Sequence, residues 1–191
     1  MRKLIAGLKV SLDGKTEGAD GTADWVETWS EEYGLTDRID ACLLGGGMYP
    51  GYERYWSAIQ ADPDTPVWIT GAAPSQAELA WARFITRTPH YVLSRTLDST
   101  AWPTTRFLRD FDAVASLKQQ PGRDIYLVGG ASVTAALMDA GLVDEIRLLA
   151  YPLIAGEGRS LFATTARRQG LALQDLRRLP DGRVSMTYAM A

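Results

Sequence analysis

The chain has 191 residues, 46% of them hydrophobic and 23% charged, with a formal net charge of −3. That length fits one domain over residues 1–191 with a real core, and the balance is that of a folded protein rather than a disordered or fibrous one. It gives no electrostatic reason to expect nucleic acid or an anionic membrane as partner. One cysteine, Cys42, and one histidine, His90, exclude an internal disulfide, a cysteine metal cluster and a His-rich site, so no metal is expected. The opening residues precede too short an apolar run for a signal-peptide core, and no stretch approaches a membrane span. The cytoplasm is therefore the expected location.

Leu4 to Leu12 reads as a strand entering the core, followed by the turn Asp13-Gly14-Lys15. Gly18 to Asp24 is a loop, and a helix is predicted around Trp29 to Asp37. Asp40 to Leu44 is a second buried strand, with Cys42 an inert thiol inside it, and it ends in Gly45-Gly46-Gly47. A helical stretch follows around Tyr52 to Ile59. Val67-Trp68-Ile69, after Pro63 and Pro66, is either a short strand or an apolar loop. Ser75 and Glu78 have the spacing of a capping box for a helix with Leu79, Ala80 and Phe84 on its apolar face.

His90 to Leu93 is a third strand, ended by Ser94-Arg95-Thr96, and Asp110 can cap a helix through Phe111, Val114 and Leu117. Ile125 to Val128 is a buried strand closed by Gly129-Gly130. From Ser132 the period becomes helical, with Val133, Ala136, Leu137 and Ala140 as its stripe and Gly141 at its C-terminus. Glu145 to Tyr151 is another strand, and Gly156-Glu157-Gly158 follows it. Leu171 to Leu179 and Val184 to Met190 form a hairpin about Pro180-Asp181-Gly182.

Strands alternating with helices imply an α/β fold with a mainly parallel sheet covered on both faces, and an antiparallel hairpin at one edge. Ligands of such sheets bind at the carboxyl ends of the strands. Three strands end in turns suited to an anion: Gly45-Gly46-Gly47, Ser94-Arg95-Thr96 and Gly129-Gly130-Ala131-Ser132. Alone, a Gly-Gly turn serves packing as readily as phosphate binding. Three on one edge suit a dinucleotide.

The ordered motifs Val10-Ser11-Leu12-Asp13-Gly14, Asp24-Trp25, Leu43 to Tyr49, Tyr55-Trp56, Val92 to Leu97, Val128 to Ser132 and Tyr151 to Phe162 cover nearly the whole chain. They resemble the dihydrofolate reductase-like superfamily, specifically stand-alone proteins similar to the C-terminal reductase domain of the bacterial riboflavin biosynthesis enzyme. The resemblance implies a mixed, mainly parallel sheet with flanking helices, and NADPH lying across the strand ends. Gly129, Gly130, Ala131, Ser132 and Val133 would hold the pyrophosphate, with Gly45, Gly46, Gly47 and Met48 beside it. Ser94, Arg95 and Thr96 would meet the adenosine ribose and its 2′-phosphate, and Ala6 and Gly7 the nicotinamide carboxamide. Asp24, Trp25, Tyr49, Ile154, Gly156 and Gly158 would border the substrate. Gly46 stands where the family usually has arginine, and Met48 where it has threonine. Selectivity for NADPH over NADH then rests on Arg95, with NADH the alternative cofactor.

Hydride transfer asks little of side chains beyond a polar anchor or proton source. Asp13 is the first candidate for that catalytic role; an Asx turn before Gly14 is its plain structural alternative. Asp24, Glu27, Glu31 and Glu32 are the other carboxylates of the neighbouring segment, with Asp24 equally suited to cap a helix. The expected function is NADPH-dependent reduction of a small heteroaromatic or carbonyl compound, of the pterin or aminopyrimidine ribose type. The alternatives are a non-catalytic nucleotide-binding protein of the same fold and a reductase of xenobiotics. A homodimer is expected from the resemblance and from the aromatic-rich segments.

Overall fold

The computed structural model describes residues 1–26, 33–64, 66–68 and 71–191. Its elements run β1 (Leu4–Ser11), β2 (Ile39–Gly45), α1 (Tyr49–Ala61), α2 (Gln76–Ile85), β3 (His90–Leu93), β4 (Thr105–Leu108), α3 (Phe111–Gln119), β5 (Asp124–Gly129), α4 (Ala131–Asp139), β6 (Glu145–Tyr151), β7 (Leu171–Arg178) and β8 (Val184–Met190). The strands form one eight-stranded sheet in the order β4-β3-β2-β5-β1-β6-β8-β7. The first six in that order pair in parallel; β8 pairs antiparallel with β6 and with β7. This is the mixed sheet with a C-terminal hairpin that the sequence implies.

The central parallel strands β1, β2 and β5 are buried on both faces, as their near-continuous apolar runs imply. On one face α1 and α2 pack Trp56, Ile59, Trp81 and Ile85 against Ile5, Leu44 and Tyr126. On the other, Val114 and Leu117 of α3 and Leu137 of α4 cover Leu4, Ala6, Leu43 and Leu127. The capping box is present, with Ser75 Oγ accepting from Glu78 N at 3.2 Å and Glu78 Oε2 accepting from Ser75 N at 2.8 Å. Glu78 Oε1 also accepts from Tyr55 Oη at 2.7 Å, which ties α2 to α1. Asp110 caps α3, accepting from Ala113 N at 2.8 Å.

Several details depart from the sequence reading. β4 was not foreseen; it is a four-residue edge strand, half-exposed, and its pattern is too short to carry a period. β1 ends at Ser11 and leaves Leu12 exposed. α1 starts at Tyr49, earlier than its apolar period suggests, because Pro50 suits a first turn. α4 buries Thr134, Ala135, Leu137 and Met138; of the expected stripe Leu137 is buried, Val133 and Ala136 are half-buried with Val133 packed against the core, and Ala140 is exposed. Gly141, at φ +69°, does end that helix. Residues 34–37 lie in loop and turn and not in a helix; Trp29 to Glu32 and Ile69 fall outside the described residues.

Candidate functional site

The middle of the sheet splits at its carboxyl edge. β1 pairs with β6 through Ser11↔Tyr151, but its pairing with β5 stops at Ala6↔Leu127. Beyond that point β5 turns through Gly129-Gly130 into α4 on one face. The chain after β1 returns on the other face, where Tyr33 and Leu35 join the core beneath α1 and α2. Adjacent strands whose connections leave to opposite faces open a crevice at their ends, the usual ligand position in open α/β sheets.

The three turns converge there. A Cβ built on Gly46 would stand 2.5 Å from Ser94 Oγ, one on Gly45 3.2 Å from Val133, and one on Gly129 3.6 Å from Met48 Sδ. The ends of β2, β3 and β5 are thus in contact with one another and with the start of α4. Gly129 and Gly130 have φ of +136° and +85°, conformations that cost a side-chain-bearing residue about 1–3 kcal/mol. Gly46 has no room for a side chain unless Ser94 shifts, so this turn offers no guanidinium.

The helices differ in how they begin. α2 and α3 are capped by Ser75 and Asp110 and carry Glu78 and Asp112 in their first turns. α1 and α4, which start at the ends of β2 and β5, have no side-chain cap and no acidic first-turn residue. Their first N–H groups and positive dipole ends are left for another anion, worth about 0.3–1 kcal/mol each at the surface and up to about 2 when partly buried. The residues present fit a dinucleotide pyrophosphate at α4.

On the flank, Ser94 Oγ accepts from Thr96 N at 3.3 Å and Leu97 N at 3.0 Å. Arg109, which the sequence reading passed over, donates through Nη1 to the Ser94 and Leu97 carbonyls, both at 2.8 Å. The turn is therefore fixed from within, and Arg95 and Thr96 are exposed on it.

Asp13 occupies the opposite flank. It accepts from Ser11 Oγ at 2.6 Å, Ala155 N at 3.0 Å and Gly156 N at 2.9 Å. The Ser11 hydroxyl, then the loop amides, hold its carboxyl down to about 2. A carboxylate so engaged is a poor proton donor; its work is to tie the end of β1 to the loop after β6. Thr16 N donates to Arg159 O and Leu161 N to Gly14 O, both at 2.9 Å, and Arg159 pairs with Glu17. Gly158, at φ +132°, lies directly against the Glu17 carbonyl, so Gly156 and Gly158 shape this double loop through their backbones. Leu12 and Ile154 stand exposed on it at 73% and 74%.

Trp25 meets Tyr151 edge-on at 5.5 Å, beside the end of β6, and Asp24 is exposed in the preceding turn. Tyr49 requires a correction. It is buried, its hydroxyl bonded to Glu53, Thr100 and Thr105 and its ring edge-on to Trp102, so it is part of the core and does not border the crevice. Lys9 was missed. It shares a face of β1 with Ile5, Gly7 and Ser11 by the strand's twofold alternation and is half-buried on the stretch where β5 no longer pairs. Its signal in the sequence was a charge inside an apolar strand. Ala6 and Gly7 lie at the start of that split, and the Tyr126 ring fills the space a Gly7 side chain would need. Glu27, Glu31 and Glu32 are outside the described residues.

Cys42, Tyr126 and His90 are titratable groups buried in the core. Burial pushes the Cys42 and Tyr126 pKa values up, and lowers that of His90 to about 4 while Thr88 O bonds its Nδ1 at 2.8 Å. A cavity of about 520 Å³ lies at the other end of the sheet, lined by Lys3, Arg38, Glu145, Arg147, Asp175 and Arg177. Arg38 and Arg147 pair with Glu145, and Arg177 with Asp175, so it is a closed charge network away from the crevice. Among the described residues no helix is long and apolar enough to cross a membrane.

Known proteins share this architecture. The RibD C-terminal domain family matches residues 2–184. Uncharacterized protein YyaP of Bacillus subtilis is 34% identical, covering 98% of this chain and 94% of its own. A diaminohydroxyphosphoribosylaminopyrimidine deaminase/5-amino-6-(5-phosphoribosylamino)uracil reductase of Thermotoga maritima superposes with a TM-score of 0.63 at 13% identity, over 100% of this chain and 57% of its own. Dihydrofolate reductase from Enterococcus faecalis, solved with NADP(H), gives 0.59 at 14% identity over 98% and 96%. The glycine turns, the split between β1 and β5 and the match over residues 2–184 converge: the chain belongs to the RibD C-terminal domain family.

Proposed function

We infer that this protein is a reductase that takes its hydride from NADPH and delivers it to a small heteroaromatic or carbonyl compound. The observation that carries this reading is the pair of uncapped helix starts at the ends of β2 and β5, joined by three turns in mutual contact. A phosphate pair is the ligand such donors favour. The relatives named above are consistent with it: one is a reductase by name and another was solved with NADP(H).

In this reading Gly129 to Val133 hold the pyrophosphate through backbone N–H groups, with Gly45 to Met48 closing the other side. Arg95 is the exposed guanidinium for a 2′-phosphate, and Gly46 contributes none. Ala6 and Gly7 offer their backbone to the carboxamide at the split. The bound nicotinamide supplies the hydride. Lys9 anchors a carbonyl or anionic group of the substrate and Trp25 flanks its ring, while Asp13 keeps the 154–158 loop seated and does not donate the proton. The exposed Leu12 and Ile154 then exclude water from the mouth.

A screen of NADPH oxidation against dihydrofolate, aminopyrimidine ribose phosphates and quinones tests the activity. Turnover with one of them, reduced at least tenfold in kcat/KM by Lys9→Met, is expected. NADPH binding without turnover on any substrate would leave a nucleotide-binding protein in its place.

A further inference from the structure

The β7–β8 hairpin reaches the carboxyl edge of the sheet. Its tip, Pro180-Asp181-Gly182, turns back beside the end of β6: Gly182 takes φ +86°, and a Cβ built on it would stand 3.7 Å from the Pro152 ring. The turn is closed by its own backbone, with Gly182 N donating to Leu179 O at 3.1 Å and Leu179 N to Arg183 O at 2.9 Å. Because Ala150 pairs with Val184, the next residues out, Tyr151 and Arg183, fall side by side on the face that carries Leu149 and Ser185. Ser11 is the partner of Tyr151 on β1, so the row Ser11, Tyr151, Arg183 runs along the edge beside the crevice.

An arginine beside a hairpin tip can reach water, yet Arg183 is only 8% exposed. Asp181 accepts from its backbone N at 3.1 Å and from its Nε at 2.5 Å, which fixes the direction of the side chain. The guanidinium carbon then stands 5.4 Å from the centre of the Tyr151 ring, and Nη1 donates to Tyr151 Oη at 3.5 Å. Burying a guanidinium costs desolvation that such contacts do little more than offset, and an apolar side chain of similar volume would pack there with no loss of stability. What the arginine adds is orientation. A flat cation on one face of the ring and a donor at its hydroxyl hold the ring in one position.

Trp25 meets that ring edge-on, with centroids 5.5 Å apart and planes at 70°. Among the described residues, this is the ring contact that ties Trp25 to the sheet. The backbone bonds near it, Gly18 N to Thr22 O and Val26 N to Ala23 O, are local to its own loop. We propose that Arg183 is a positioning residue of the substrate site, which holds Trp25 against the substrate ring by fixing Tyr151. The proposal rests on the reading that Trp25 flanks the substrate, and it deepens that reading. The flat wall is set from the β7–β8 hairpin, apart from the turns that hold the cofactor, and a wall fixed in this way selects a planar ring.

Two variants and two readouts separate positioning from packing. Arg183→Met removes the cation and the donor but keeps a long side chain; Arg183→Lys keeps a cation over the ring without the planar fork. In protein labelled with fluorotryptophan, the fluorine resonance of Trp25 is identified by its absence in Trp25→Phe. That resonance is expected to shift and broaden in Arg183→Met, and to shift less in Arg183→Lys. With a substrate that turns over, KM should rise about tenfold in Arg183→Met and about threefold in Arg183→Lys, with kcat within about twofold, the signature of lost ground-state binding. The melting temperature of Arg183→Met should be unchanged or higher, which a merely structural role would not allow. Either readout staying at its wild-type value overturns the proposal, and so does a KM that rises only together with the dissociation constant for NADPH. If Arg183→Met does not fold, the same readouts on Arg183→Lys decide the matter. A wild type that turns over no substrate refutes the reductase reading; the Trp25 resonance then tests the link from Arg183 to Trp25 by itself.

Discussion

The two ends of the parallel strands are built on opposite principles. At the amino end nearly every charge meets another: Arg2 pairs with Asp40, Arg38 with Asp124 and Glu145, Arg147 with Glu145, and Lys118 with Asp144. Asp144 and Asp124 also accept from the backbone at Leu4 and Lys3. At the carboxyl end the helices starting from β2 and β5 lack caps, and the turns between them use glycine where a side chain would fill the space. One end is saturated from within and the other offers donors to something outside. A ligand site is legible here as polarity that the chain does not spend on itself.

Loss of stability without loss of ligand binding should follow from changes at the amino end. His90 starts β3 there, fully buried and neutral, with a pKa near 4 against 6.5 when exposed. The unfolded chain therefore takes up the proton first. Stability is full above pH 6.5, falls as pH drops from 6.5 to 4, and loses about 3 kcal/mol in all. Urea unfolding of the wild type against His90→Gln should isolate that slope; parallel curves would remove His90 from the account.

Asp40→Ala leaves the Arg2 guanidinium, 6% exposed, without its carboxylate and releases Arg123 N as well. Because Asp40 is itself 36% exposed, the cost is discounted to about 2–3 kcal/mol. Dinucleotide affinity should stay within twofold, measured on the folded variant; a large fall would mean the two ends are not separable.

The carboxyl end should respond in the opposite sense. Arg95→Ala is expected to raise the NADPH dissociation constant about tenfold, near 1.4 kcal/mol, with little change for NADH or in the melting temperature. Equal effects on both nucleotides would remove Arg95 as the phosphate contact. The smallest effect concerns Asp13. Its carboxyl is held at about 2, so the anchoring of the loop is present above the ordinary value of 3.8 and is lost as pH falls through 2. The protection factors of the Ala155 and Gly156 amides, exchange rates divided into the intrinsic rate at each pH, should fall in Asp13→Asn and hold steady in the wild type from pH 7 to 4.

Much of this was readable from residues. The strands from His90 to Leu93 and Glu145 to Tyr151, the capping box at Ser75 and the glycine turns at the strand ends each carry a local signal that the structure matches. What could not be read depends on partners distant in the chain. Asp13 reads as a turn residue until Ala155 and Gly156 are brought to it, and Tyr49 reads as a ligand face until Thr100 and Thr105 close over its hydroxyl. Lys9 was hidden because its position matters only where β5 stops pairing.

The charge left open at α4 is the central claim, and Ser132→Asp addresses it most directly. Ser132 is exposed in the first turn, so an added carboxylate satisfies the helix end and should stabilise it by about 0.3–1 kcal/mol. The same carboxylate should repel a dinucleotide. Titration of NADPH into both proteins is expected to give binding to the wild type and a dissociation constant at least tenfold higher for Ser132→Asp, with an equal or higher melting temperature. A wild type that binds neither NADPH nor NADH, or a variant that binds NADPH as tightly as the wild type, would contradict the assignment of this edge as a cofactor site.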